Sequence, residues 1–289
     1  ARGVRRLGSA AEARTLLAHV LGVEPARLPL VDGVSDADLA AFEALVERRL
    51  AGEPVQHLTG RAHFRTISVD VGPGVFIPRP ETELLAGWAI DALLSVNSTF
   101  TGAYDHVNVL LTRERAVVVE LCAGSGAISK ALAAEVPGPE YWAVELSPDA
   151  WPYLVANLAG KGVHAVAGDM ADALHHLDGI VDLVIANPPY VPEDARADLP
   201  ADFLHDPDLA LFSGADGLDA LRVVAQVARR LLRPGGLVCA EHDDTHGASA
   251  PALFAERGFT EVTDHLDLAG RPRFVTARAA GTSPGRMSP

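Results

Sequence analysis

Cysteine is nearly missing from this chain. The two thiols, Cys122 and Cys239, are too few and too far apart for a zinc site or a disulfide framework, and both read as core or near-core strand residues. No apolar run approaches the roughly 20 residues that a membrane-spanning helix needs. The opening stretch ARGVRRLGSAAEARTLL has neither a signal-like apolar segment nor a cleavage site, which sets the expectation of a cytoplasmic protein with no membrane partner. Basic charge is short as well. Lys and Arg total 24 against 38 Asp and Glu, for a net charge of −14. The imbalance is local: residues 1–90 hold 10 basic and 11 acidic side chains, whereas residues 91–289 hold 14 and 27. So acidic a second part repels a phosphate backbone, and no basic patch offsets it, which argues against nucleic acid as the direct substrate. The chain shows no Ser/His/Asp or Cys/His constellation. Its 11 histidines, including the adjacent His175 and His176, lack ligand spacing with carboxylates, so no metal is expected.

What is present is a globular composition, 48% hydrophobic and 21% charged over 289 residues, enough for one large domain or two ordinary ones. Residues 9–22 and 35–51 carry apolar side chains at helical spacing, each opened by a Ser suited to N-capping. Residues 63–71 alternate as a strand does, and GPGVFIPRP (72–80) reads as a turn-rich connector with a short strand. A helix is expected over 81–94, and an irregular crossing over 95–115. From 116 strand and helix alternate: strands at 116–121, 141–146, 163–168, 182–186 and 237–242, with an amphipathic helix over 217–236 stopped by Pro-Gly-Gly. A helix over 248–257 and strands near 259–265 and 273–278 complete the pattern. Such alternation means a mainly parallel sheet covered by helices on both faces, with ligands at the carboxyl ends of its strands.

Three stretches sit at those ends. In VVVELCAGSGA (117–127), Gly124 and Gly126 permit a tight turn at a helix N-terminus and a close approach of backbone to ligand. Glu145 follows some twenty residues later, at the end of the second strand, where a carboxylate can accept from both hydroxyls of a ribose. Asp169, in AGDM, is placed to accept from an adenine amino group. A dinucleotide oxidoreductase uses the same loop and acid, but has no use for the third stretch, Asn187-Pro188-Pro189-Tyr190. Two prolines force the chain out of the sheet after DLVIA (182–186) and hold one amide and one ring in place.

With VELCAGSGA, AVELSPDA, AGDM and LVIANPPY in this order, the chain resembles class I S-adenosyl-L-methionine-dependent methyltransferases, and NPPY points to those that methylate a planar nitrogen. GEPVQHLTGRAHF and VGPGVFIPRPETELL (within 52–85) make it similar to the PrmC/HemK family. That family methylates the side-chain nitrogen (N5) of the glutamine in the GGQ motif of class I peptide chain release factors. The resemblance implies an α/β fold with a Rossmann-like, seven-stranded, mainly parallel sheet. It divides the chain into a helical substrate-binding domain (1–62), a β-hairpin connector (63–80), a methyltransferase domain (81–280) and a disordered tail (281–289). It implies that Cys122, Ala123, Gly124, Ser125, Gly126, Glu145, Asp169, Met170, Glu81, Thr82 and Asn187 contact S-adenosyl-L-methionine. The glutamine is left to Asn187, Pro188, Pro189 and Tyr190, and the enzyme is expected to be a monomer.

The chemistry suits such residues. A carboxamide nitrogen needs orientation rather than ionisation, so the Asn187 oxygen and the Pro188 carbonyl are expected to accept from its NH2 while Tyr190 stacks on it. The acidic run 192–208, with Glu193, Asp194, Asp198, Asp202, Asp206 and Asp208, reads either as a solvated loop or as a guide for a basic protein segment. Cys122 stands where the pattern has glycine, Glu120 where it has Asp, and His246 where it has Gln. Two alternatives stay open: an N6-adenine methyltransferase, and a cofactor-binding protein whose catalysis has weakened.

Overall fold

The computed structural model describes residues 2–94, 115–199, 203 and 205–281. The crossing expected over 95–115 and the tail expected from 281 lie almost wholly outside the described residues. The chain opens with helices α1 (Arg2–Leu7), α2 (Ala10–Val20), α3 (Asp36–Leu50) and α4 (Val55–Thr59). Ser9 and Ser35 cap α2 and α3 as their positions suggest, each side-chain oxygen accepting from the backbone N–H three residues on. Leu16, Phe42, Val46 and Leu58 bury their side chains between these helices, and Arg49 closes the edge on Glu12.

A hairpin follows, β1 (Arg61–Phe64) paired antiparallel with β2 (Ile67–Asp70). The strand expected within 72–80 does not form in these described residues. Glycines and prolines leave that stretch little to offer a ladder, and it crosses as an extended connector to α5 (Thr82–Leu94). The hairpin is fastened to what comes next. Arg65 forms a two-pronged pair with Glu135 at 2.8 Å and donates its backbone N–H to Glu83. Lys130 reaches the Ser68 carbonyl at 2.7 Å.

The rest is one layered α/β unit: β3 (Val117–Leu121), α6 (Ala127–Glu135), β4 (Glu140–Glu145), α7 (Trp151–Leu158), β5 (Val163–Ala167), β6 (Val181–Ala186), α8 (Asp208–Leu211), α9 (Asp219–Leu231), β7 (Leu232–Glu241), α10 (Ser249–Glu256), β8 (Phe259–Leu266) and β9 (Pro272–Ala279). The sheet order is β5-β4-β3-β6-β7-β9-β8. All neighbours are parallel except β9, which runs antiparallel to β7 and β8. This is the seven-stranded Rossmann-like sheet of class I methyltransferases. Side chains alternate through it: Val118 packs with α5 and α6 on one face, Val117 and Val119 with α9 and α10 on the other. Pro234-Gly235-Gly236 does not stop a helix as expected. The helix has already ended at Leu231, and the three residues sit in β7, where the pairing with β6 slips between Val181 and Leu183 and absorbs them.

Candidate active site

Register builds the site. Val144, Leu121, Ala186 and Ala240 are partners across β4, β3, β6 and β7, so the next residues, Glu145, Cys122, Asn187 and Glu241, leave the sheet in one rank. The chain winds outward in opposite directions from β3 and β6, and ligands bind at the carboxyl side of such a switch point. A cavity of about 340 Å³ opens there, large enough for a small-molecule cofactor. Asn187, Pro188, Pro189 and Tyr190 all line it. So do Cys122, Ala123, Gly124, Ser125, Glu145, Asp169, Met170 and Thr82.

Gly126 and Glu81 are not among the cavity's lining residues but directly adjoin Ser125, Ala127 and Thr82, which are. Gly126 has φ +76, and a Cβ there would lie 2.8 Å from Leu154 Cδ1; its glycine lets α6 lie close against α7. The helix after Glu81 begins at Thr82, and that buried hydroxyl reaches the cavity instead. Cys122 is likewise no core strand residue. It follows β3, half-buried, in the left-handed region with φ +57, a conformation that costs an L side chain about 1–2 kcal/mol. Its thiol lies 3.6 Å from the Met170 sulfur, and burial pushes its pKa well up, so it is a packing group. Asp169 is exposed, with Oδ1 accepting from the Ala171 N–H at 2.9 Å. His246 is buried away from the cavity and braces the Asp216 carbonyl through Nε2 at 3.0 Å.

The glycine loop differs from a phosphate cradle. Three of its N–H groups are already engaged: Ala123 with the Val144 carbonyl at 3.0 Å, Gly124 with Glu145 Oε2 at 2.6 Å and Gly126 with the Ala123 carbonyl at 2.8 Å. Glu145 Oε1 accepts from the Ser147 N–H at 2.6 Å. Near the start of α6, buried Glu120 accepts from the Ser129 N–H at 2.8 Å. The Glu145 carboxylate beside this loop repels a pyrophosphate and suits a ligand with a positive centre. With these donors engaged and Glu145 beside them, a dinucleotide pyrophosphate is a poor fit.

Glu120 also carries a pH prediction. Burial, only partly offset by Ser129, raises its pKa to about 8. The unfolded chain loses this proton near the ordinary value of 4.5, while the folded protein holds it to about 8. Between those values the folded state binds the extra proton, so its stability falls as pH rises. Urea unfolding at stepped pH should show that decline, and Glu120→Gln should make it shallower. Identical slopes for the two proteins would place the proton elsewhere.

On the far side, Asn187 Nδ2 donates to Thr82 Oγ1 at 3.2 Å, and the Tyr190 hydroxyl donates to Glu241 Oε1 at 3.1 Å. Burial, reinforced by Glu241, pushes the Tyr190 pKa well up, which keeps the phenol neutral. The connector forms the outer wall. Arg79 stacks between Phe76 and Phe203, at 5.1 and 4.7 Å from their ring centres, and pairs with the fully buried Asp206 carboxylate. Asp206 also accepts from the Ile77 N–H at 3.2 Å, and Asp208 pairs with Arg196 at 2.8 Å. Asp206 is thus tied within the fold and does not serve as a free guide for a basic partner, whereas the Asp208 pair lies at the exposed surface. Asp202 and the side chain of Asp198 lie outside what the structure describes.

Sequence reasoning missed Glu241, Phe76 and Phe203. Glu241 had a signal: a lone acid closing the apolar run LVCAE at a strand's carboxyl end. The aromatics had none, since their approach depends on Arg79 meeting an acid 127 positions away. Among the described residues, no cluster of His, Cys, Asp and Glu could hold a metal ion, and no helix is long and apolar enough to cross a membrane.

Comparison with known proteins adds two family models. One described as PrmC N-terminal domain matches residues 3–60, and one described as Methyltransferase small domain matches residues 101–237. A release factor glutamine methyltransferase of Streptomyces coelicolor is 47% identical over 93% of this chain and 90% of its own length. A 4-amino-L-phenylalanine/4-methylamino-L-phenylalanine methyltransferase of Streptomyces pristinaespiralis is 38% identical over 89% of this chain and 83% of its own. Among solved structures, the hMettl16 catalytic domain in complex with MAT2A 3'UTR hairpin 6 aligns over 77% of this chain and 78% of its own, with a TM-score of 0.53 at 13% identity. That last likeness concerns the fold.

Proposed function

Because the chain belongs to the release factor glutamine methyltransferase family, we propose that it methylates the side-chain nitrogen of a release-factor glutamine, that of the GGQ motif, using S-adenosyl-L-methionine. The observation that carries this reading is the rank Glu145, Cys122, Asn187, Glu241, which sets a neutral amide beside a carboxylate-lined cavity at the sheet's switch point.

When bound, the cofactor supplies a sulfonium methyl already activated towards a nucleophile. Cys122 to Ser125 would hold it by shape, with Glu145 at the ribose, since each of its oxygens keeps a lone pair beyond the N–H it accepts. Asp169 and Met170 would border the adenine, and Thr82 the amino-acid end. The protein's own work is orientation. Asn187 Oδ1 and the Pro188 carbonyl accept from the substrate NH2, fix its lone pair in line and stabilise the charge that grows on nitrogen. The Tyr190 ring stacks on the planar amide and excludes water. No general base is needed, because the methylated nitrogen becomes acidic and gives its proton to solvent. We take the substrate to be a protein, since 27 acidic against 14 basic side chains in residues 91–289 disfavour a nucleic-acid backbone, and we take the enzyme to act as a cytoplasmic monomer.

Incubation with methyl-labelled cofactor and a release factor, followed by peptide mass mapping, tests the proposal. One methyl on the GGQ glutamine is expected. Label that appears only on an adenine, or only on 4-amino-L-phenylalanine, overturns it.

A further inference from the structure

Glu241 is ionisable, yet 1% exposed, and the mechanism above does not touch it. It closes β7 next to Asn187 and meets both arms of the NPPY turn. One arm is direct, the Tyr190 hydroxyl on Oε1 at 3.1 Å. The other runs through Thr82, 3% exposed, whose oxygen accepts from Asn187 Nδ2. A hydroxyl whose oxygen is taken by a donor must aim its single proton elsewhere. Glu241 Oε2, buried with no hydrogen-bond partner among the described residues, is open to that proton, and Thr82 lies close enough to influence the carboxyl.

We propose that Glu241 is a positioning residue for methyl transfer: it draws the Thr82 proton, makes the Thr82 oxygen accept from Asn187 Nδ2, and so keeps Asn187 Oδ1 turned to the substrate NH2 while holding Tyr190 in place. The amide of Asn187 has two faces of opposite hydrogen-bonding sense. Turned the other way it presents donors to a donor, and the substrate nitrogen loses its acceptor. A carboxylate beneath the turn fixes the sense that suits an NH2 nucleophile. This inference rests on the methyl-transfer reading.

The charged and titratable groups facing Glu241 are Tyr190 from the turn, Glu81 just ahead of α5 and Arg273 from β9, with Asp243 bearing on Tyr190 in turn. Burial is the largest influence and lifts Glu241 to about 7. Once protonated, the carboxyl becomes a donor towards Thr82 and competes with Asn187 for its oxygen. Turnover of the wild type should therefore fall below about pH 7.

The test is steady-state kinetics of Glu241→Gln and of Thr82→Val on a release factor, with cofactor affinity measured by calorimetry. Both replacements are close in shape, and circular dichroism establishes that each variant is folded. The expected result is kcat lowered about 30-fold or more in each, cofactor Kd within about threefold of wild type in Glu241→Gln, no further loss of kcat in the double variant, and disappearance of the acid limb in Glu241→Gln. Wild-type kcat with an unchanged acid limb in Glu241→Gln overturns the proposal, as does a loss confined to KM or to cofactor affinity. A wild type that leaves the glutamine unmethylated fails the functional reading itself, a separate outcome read in the same assay.

Discussion

Asn187→Ala is expected to lower kcat about 10²–10³-fold while cofactor affinity changes less than about threefold. The scale is that of losing one preorganised hydrogen-bonding group aimed at charge that develops during reaction. Asn187 sits half-buried at the end of β6, and its Nδ2 is already committed to Thr82. Its oxygen is thus the group left for substrate, and removing it costs the transition state more than the ground state. Asn187→Asp is expected to be nearly as poor, because a carboxylate offers Thr82 no N–H and the turn loses its anchor. Methyl transfer to a release factor gives kcat, and calorimetry gives cofactor Kd. A fall in both by similar factors would mean that Asn187 serves the cofactor and not the amide.

Arg79→Ala is expected to cost about 3 kcal/mol of stability and to raise KM. Asp206 lies with its side chain fully buried against Arg79, and desolvation raises its pKa despite that partner. Taking the guanidinium away leaves a buried carboxyl with only the Ile77 N–H, and breaking a buried pair from one side costs about 3–5 kcal/mol. The lower end applies because the carboxyl can take up a proton. The wall of Phe76 and Phe203 loses the cation that stacks between them, so a looser cavity mouth follows. Urea unfolding measures the first effect. Arg79→Ala combined with Asp206→Asn should recover most of the loss, because the orphaned charge is gone. Equal destabilisation of the single and double variants would show that packing, and not charge, holds the connector.

The helices and strands that sequence alone makes legible are those with a local cause. Ser9 and Ser35 announce two helix starts through capping, and the runs VVVEL (117–121) and VDLVIA (181–186), apolar but for one acid each, announce the two central strands. What stays hidden depends on partners distant in sequence. Pro234-Gly235-Gly236 reads as a stop, but a slip in pairing with β6 admits it to the sheet. Gly126 reads as a turn glycine at the ligand, while its closeness to Leu154 depends on where α7 packs. The acidic run reads as exposed, but Asp206 is claimed by Arg79. At the site the order of motifs along the chain gives the residues, while register gives their alignment. Glu241 shows the difference: its place beside Asn187 follows only once β6 and β7 are paired.

The most direct measurement is a crystal structure with a non-reactive cofactor analogue and a GGQ-containing release-factor fragment. The account predicts the glutamine NH2 within hydrogen-bond distance of Asn187 Oδ1 and the Pro188 carbonyl, about 3 Å from each, with the Tyr190 ring flat against the amide. A glutamine seated elsewhere, or an Asn187 that turns its nitrogen to the substrate, would contradict it.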